Sequence, residues 1–155
     1  TLDHAARRLG ITIKAAGALT GPHGETIRFE HLHALGPVDE RVIAGCLGAR
    51  PVYVSAARYE PFGLAVLEAA LAGCPLVLSD IPTHRELWGN VALFVEPDDA
   101  DGFAEAIETM VGDVSTRLAR GDLARRRAQE FTPAAMATRM DAIYRRLLPA
   151  RQEAA

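Results

Sequence analysis

Cysteine is scarce, and the two present, Cys46 and Cys74, stand alone in apolar surroundings with no CxxC or Cys/His spacing. That excludes a disulfide framework and a zinc knuckle, and reads as two buried free thiols in a reducing compartment. No apolar run approaches the ~20 residues a membrane-spanning helix needs, and the N-terminus carries no signal-peptide core. Positive charge is not in excess: the formal net charge is -3, which argues against a dedicated nucleic-acid binder. Internal repeats and low-complexity tracts are also missing. What remains is a chain of 155 residues, 49% apolar and 24% charged, enough for one domain with a substantial core and too short for two comfortable ones.

Taken in order, short apolar runs alternate with amphipathic segments. Leu2, Ala5, Ala6 and Leu9 recur at helical spacing with Arg7 and Arg8 outward, Gly10 caps the end, and residues 11–16 read as a buried strand. The glycine-rich loop 17–26 fits neither GxGxxG nor GxxxxGK[ST] and reads as a turn. A second strand begins near His31 and closes on Gly36-Pro37. Asp39 is an N-cap for a helix over 40–47 whose inner face holds Val42, Ile43 and Cys46. Strands at 52–55, 75–79 and 91–95 follow, with a helix starting at Phe62 or Gly63, and a loop and short helix after Asp80. Asp101 is expected to cap a helix over 102–110, with Phe103, Ala106, Ile107 and Met110 inward. Two more helices lie near 115–131 and 133–148, the second opened by Thr132-Pro133. Arg125 to Arg127 sit in an acidic chain beside Glu130 and read as a solvated helix face. This alternation predicts an α/β, Rossmann-like fold: a mostly parallel sheet with helices on both faces.

One stretch carries chemistry. Glu60-Pro-Phe-Gly-Leu-Ala-Val-Leu-Glu68 puts two carboxylates eight positions apart around a turn, after the apolar run 51–55. The turn ends a strand and opens a helix, whose free N–H groups and dipole suit a phosphate. Carboxylates on either side seek hydroxyls, so the pattern points to a sugar nucleotide. His84, Arg85 and Glu86 share that sheet edge but read as well as a solvated short helix. His23, His31 and His33 have no partners visible in sequence.

These residues, with Ala72-Gly73-Cys-Pro75, Ser79-Asp80-Ile-Pro, Leu35-Gly36-Pro-Val38 and Phe94-Val-Glu-Pro97-Asp98, resemble the C-terminal, donor-binding domain of retaining GT-B glycosyltransferases of group 1 type, with their E-x7-E motif. The likeness covers about residues 10–148. It implies that Glu68 accepts hydrogen bonds from the ribose, that Glu60 contacts the donor sugar near the reaction centre as the catalytic glutamate, and that the backbone of Phe62, Gly63 and Leu64 meets sugar and diphosphate. The turn at Gly36 and Val38 would lie by the base. It also implies a UDP- or GDP-linked hexosyl donor, an acceptor hydroxyl, no cofactor or obligatory metal, no nucleic acid, and a cytoplasmic setting compatible with peripheral membrane association.

Three departures from that pattern shape the expectations. Ala56 and Ala57 stand where the family has Pro and Ser. The family's opening strand, with an Arg and a Lys for the diphosphate, precedes the helix at which this sequence starts, so the central sheet position is expected to be filled by rearrangement or by strand exchange in a homo-oligomer. The acceptor-binding N-terminal domain is expected from a longer parent chain, so residues 1–155 alone should show little or no turnover. The rival reading is a non-catalytic interaction or scaffold domain that kept the fold and lost the donor site. A receiver-like or dinucleotide module would need an acidic cluster or a glycine fingerprint that the sequence lacks.

Overall fold

A computed structural model describes residues 1–21 and 23–148. Pro22 of the glycine-rich loop and the last seven residues of the expected single domain lie outside them. Among the described residues there are five strands: β1 (Lys14–Ala16), β2 (His33–Gly36), β3 (Tyr53–Ser55), β4 (Leu76–Ser79) and β5 (Leu93–Val95). Seven helices accompany them: α1 (Leu2–Leu9), α2 (Glu40–Gly48), α3 (Leu64–Ala72), α4 (Pro82–Trp88), α5 (Ala100–Gly112), α6 (Val114–Ala128) and α7 (Pro133–Leu147). A 3₁₀ turn, Gln129–Phe131, joins α6 to α7.

All strand pairs are parallel, as the alternation predicts, but they form two sheets. β1 pairs with β2, with Lys14 opposite His33, while β4 lies between β3 and β5, with Val77 opposite both Val54 and Leu93. No pairing joins β1 to β3. All four residues of β4 are buried and their side chains alternate between faces. Leu76 and Leu78 pack with Val66, Ala69 and Ala70 of α3, Trp88 of α4, and Ala124 and Ala128 of α6. Val77 packs on the other face with Ala5 of α1 and Phe103, Ala104 and Met110 of α5. The sheet is thus sandwiched by helices.

Two polar devices fix this layout. Asp3, in the first turn of α1, accepts the backbone N–H groups of Glu30, His31 and Leu32 through one carboxylate oxygen, at 3.1, 2.9 and 2.9 Å. These bonds, chiefly those from His31 and Leu32, hold its carboxyl below the usual range and tie β2's entry to α1. Arg50 donates Nε to the carbonyl of Gly73 at 2.9 Å and Nη2 to Asp122 at 2.6 Å, clipping α3 to α6. The helices approach so closely there that a Cβ on Gly121 would fall 2.1 Å from the Gly73 carbonyl oxygen.

Several local expectations change. The α5 cap is Asp99, which accepts the Gly102 N–H at 2.8 Å; Asp101 instead pairs with Arg8. Asp99 lies ahead of Ala100 and starts the helix earlier than the apolar stripe alone indicates. Val42 is exposed and Cys46 only half-buried, so the inner face of α2 is thinly covered. Arg127 is not wholly solvated: it stacks over Phe131 and donates to the Leu87 carbonyl, while Arg125 and Arg126 are exposed.

Candidate functional site

β3 ends at Ser55, and the chain runs through an irregular segment to Gly63, the N-cap of α3. Gly63 adopts the left-handed conformation, φ 83, which lets the chain turn sharply into the helix. It has no side chain to cap the helix. Glu60 does so instead, its Oε1 accepting the Gly63 N–H at 2.9 Å. The first α-helical hydrogen bond is Leu67 N–H to the Gly63 carbonyl, so the N–H groups of Leu64, Ala65 and Val66 have no partner one turn back.

Burial separates the two sides of α3. Val66, Ala69 and Ala70 face the core, whereas Leu64 is 68% exposed and Glu68, one turn further along the same side, is exposed too. The fold therefore places Glu60, Phe62, Gly63 and Leu64 at one helix start, with the Glu60 carboxylate on it and Glu68 on the exposed side of the helix one turn further along. Phe62 is fixed by an edge-on contact with Phe131, ring centroids 5.9 Å apart, and Phe131 in turn meets Trp88 at 5.8 Å. Gly36 and Val38 are at and just beyond the end of β2, in the other sheet; no hydrogen bond or ion pair among the described residues joins them to this group. Gly36, φ 68, turns the chain there, and its carbonyl accepts the Gly17 N–H at 2.9 Å.

Arg58 pairs with Asp98 beyond the strand ends, rather than with Glu68. His84 is fully buried and not part of a solvated helix, so that expectation is corrected. Its Nδ1 lies 3.0 Å from the Ser79 carbonyl oxygen, a geometry that places the proton on Nδ1. The Ser79 hydroxyl donates to the Ala57 carbonyl, and Thr83 Oγ1 donates to the Glu60 carbonyl at 2.7 Å. Sequence reasoning gave Ser79 no role of its own and missed Thr83, since a hydroxyl bonded to a distant carbonyl leaves no periodic signal. Among the described residues, no three His, Cys, Asp or Glu gather in a way that could hold a metal ion. A hollow of about 350 Å³ lies elsewhere, lined by residues including Arg85, Trp88, Asn90 and Arg127.

Burial, with smaller contributions from the Glu60 and Glu68 carboxylates, pushes the Tyr53 phenol up to about 12. Burial likewise pushes the Cys74 thiol up to about 11, against the pull of Arg50. Both groups are neutral when folded and ionise sooner when unfolded, so their stabilising effect is complete below pH 9 and is lost as pH rises through 11 and 12. Urea denaturation should show stability falling by on the order of 3 kcal/mol between about pH 8.5 and about pH 11.5. A flat profile over that range would contradict the burial of both groups.

The family profile described as Glycosyl transferases group 1 matches residues 7–113. The chain belongs to the group 1 glycosyltransferases. Within that family it is 33% identical over 113 residues to a glycogen synthase of Mycobacterium tuberculosis, covering 71% of this chain and 27% of that protein. It is 34% identical over 90 residues to a phosphatidyl-myo-inositol mannosyltransferase of Mycolicibacterium smegmatis, covering 56% of this chain and 23% of that one. The chain thus spans about a quarter of the length of these curated relatives. Among solved structures, Anabaena HepE in complex with UDP-glucose superposes with a TM-score of 0.74 at 21% identity, over 95% of this chain and 44% of that one. Sucrose-phosphate synthase from Thermosynechococcus elongatus gives 0.72 at 23%, over 94% and 42%. The fold of this group 1 glycosyltransferase chain is the GT-B type seen in those enzymes.

Proposed function

We propose that this chain is the nucleotide-sugar-binding part of a retaining glycosyltransferase, which moves a hexosyl unit from a UDP- or GDP-linked donor to an acceptor hydroxyl. The observation that carries the reading is Glu60 on the start of α3, whose leading N–H groups lack helical partners, with Glu68 exposed one turn further along the same helix. Support comes from a neighbour of the same fold, HepE, described in complex with UDP-glucose.

In this reading Glu68 accepts from the ribose hydroxyls. The N–H of Leu64 and the positive end of α3 face the diphosphate, where charge develops on the leaving group. Glu60, with Oε1 held by Gly63, offers Oε2 to a hydroxyl of the sugar, beside the Phe62–Leu64 backbone. The Gly36–Val38 turn flanks the base. No nucleophile is assigned, and no metal is required. The acceptor is bound by a further domain of a longer, cytoplasmic parent chain, so residues 1–155 bind donor with little turnover.

Calorimetry against UDP-glucose and GDP-mannose tests this. One of them should bind, and Glu68→Ala should weaken it roughly tenfold to a hundredfold, as expected for lost hydrogen bonds to a charged acceptor. Absence of binding to either, or an unchanged affinity in Glu68→Ala, would favour a non-catalytic interaction domain.

A further inference from the structure

Residues 56–63 between β3 and α3 belong to no strand or helix, yet they carry Glu60. Arg58 and Tyr59 are exposed, Tyr59 at 83%, so packing does not fix the middle of this segment. It is held by hydrogen bonds from the junction of β4 and α4. At one end the Ser79 hydroxyl donates to the Ala57 carbonyl; at the other Thr83 Oγ1 donates to the Glu60 carbonyl at 2.7 Å. The junction itself is rigid. Pro82 opens α4 with its fixed φ, and buried His84 is anchored at 3.0 Å from the Ser79 carbonyl. Glu60 is therefore tied twice, by its main chain to Thr83 and by its carboxylate to Gly63.

We infer that Thr83 is a positioning residue for Glu60. It sets the height of the Glu60 main chain over the start of α3, so that Oε2 is presented while Oε1 stays on the Gly63 N–H. The inference rests on the nucleotide-sugar reading above. Its particular content is that Thr83 serves the sugar half of the donor and not the nucleotide half, because only Glu60 depends on it while Glu68 stands on α3 itself.

Thr83→Val keeps the branched shape and removes the donor hydroxyl; Thr83→Ser restores it. Affinities of the 155-residue chain for UDP-glucose and for UDP are compared by calorimetry, with GDP-mannose and GDP as a second pair. Thr83→Val is expected to bind the nucleotide sugar roughly threefold to tenfold more weakly, the range of one neutral hydrogen bond, with the plain diphosphate unchanged. Thr83→Ser should recover most of the loss, and Thr83→Ala serves in its place if the valine variant does not fold. Equal weakening of both ligands would make Thr83 a structural residue only, and no change in either would remove it from the site; both overturn the inference. A wild-type chain that binds neither ligand pair fails earlier, at the nucleotide-sugar reading, and takes the inference with it.

Discussion

Replacing Trp88 with alanine is expected to remove about 3–5 kcal/mol of stability, the usual cost of emptying a large aromatic site. Trp88 is 1% exposed and packs from α4 into the cluster of Leu76, Leu78, Val91, Ala124 and Ala128. Its indole N–H has no partner among the described residues, so the loss is one of packing and not of a hydrogen bond. Trp88→Phe keeps most of the ring contacts, discards that unpartnered donor, and should cost much less. The total stability of a domain of this size is about 5–15 kcal/mol, so the alanine variant loses a large share of it. Its melting temperature should drop on the order of 10 °C. The effect should also reach the site, because Trp88 braces Phe131 and Phe131 braces Phe62. A melting point within about 2 °C of the wild type would show that the indole is not a core element.

Gly63→Ala is expected to cost about 2–3 kcal/mol and to abolish nucleotide-sugar binding. Two effects combine. An L-residue at φ 83 pays a backbone penalty of about 1–3 kcal/mol. The added Cβ would also lie 3.0 Å from Val66 Cγ2 and 3.4 Å from Glu60 Cγ. Val66 is 2% exposed and seated in the core, so the tight contact is relieved by a shift of the backbone at residue 63, which moves the N–H that Glu60 Oε1 accepts. Gly10→Ala separates the two effects. Gly10 is also left-handed, φ 62, but a Cβ there meets nothing within 4 Å, so only the backbone penalty remains. Thermal melts and UDP-glucose or GDP-mannose calorimetry of both variants decide it. Retained donor affinity in Gly63→Ala would mean that the Glu60 carboxylate does not depend on this turn.

Much of the architecture was legible in the sequence because it follows from hydrophobic pattern. The run before Glu60 became β3, the stripe Phe103, Ile107 and Met110 became the buried side of α5, and Thr132-Pro133 opened α7 as expected. Motif spacing likewise put Glu60 just ahead of α3 and Glu68 within it. What stayed hidden depends on contacts between distant segments. Nothing local distinguishes Asp99 from Asp101 as a cap, since both are short carboxylates ahead of an apolar stripe; the choice falls with the turn that follows Pro97. The sequence around His84 reads as polar, yet the ring is buried because α4 leans on the end of β4. Thr83 likewise acts through a carbonyl 23 residues earlier in the chain.

The division into two sheets bears on the order in which the chain assembles. Within the β3–β5 sheet each strand pairs with the next across one intervening helix, while α6 returns from further along the chain to pack on α3, so the strand layer around β4 can condense before α6 docks. The β1–β2 pair also closes by parallel pairing, but across a loop of sixteen residues in place of a helical crossover. α1 then reaches across to α5, nearly a hundred residues away, with Arg8 on Asp101. The helix that begins the sequence is thus a late fastener, and the carboxylate of Asp3 is what brings β2's entry with it when it closes.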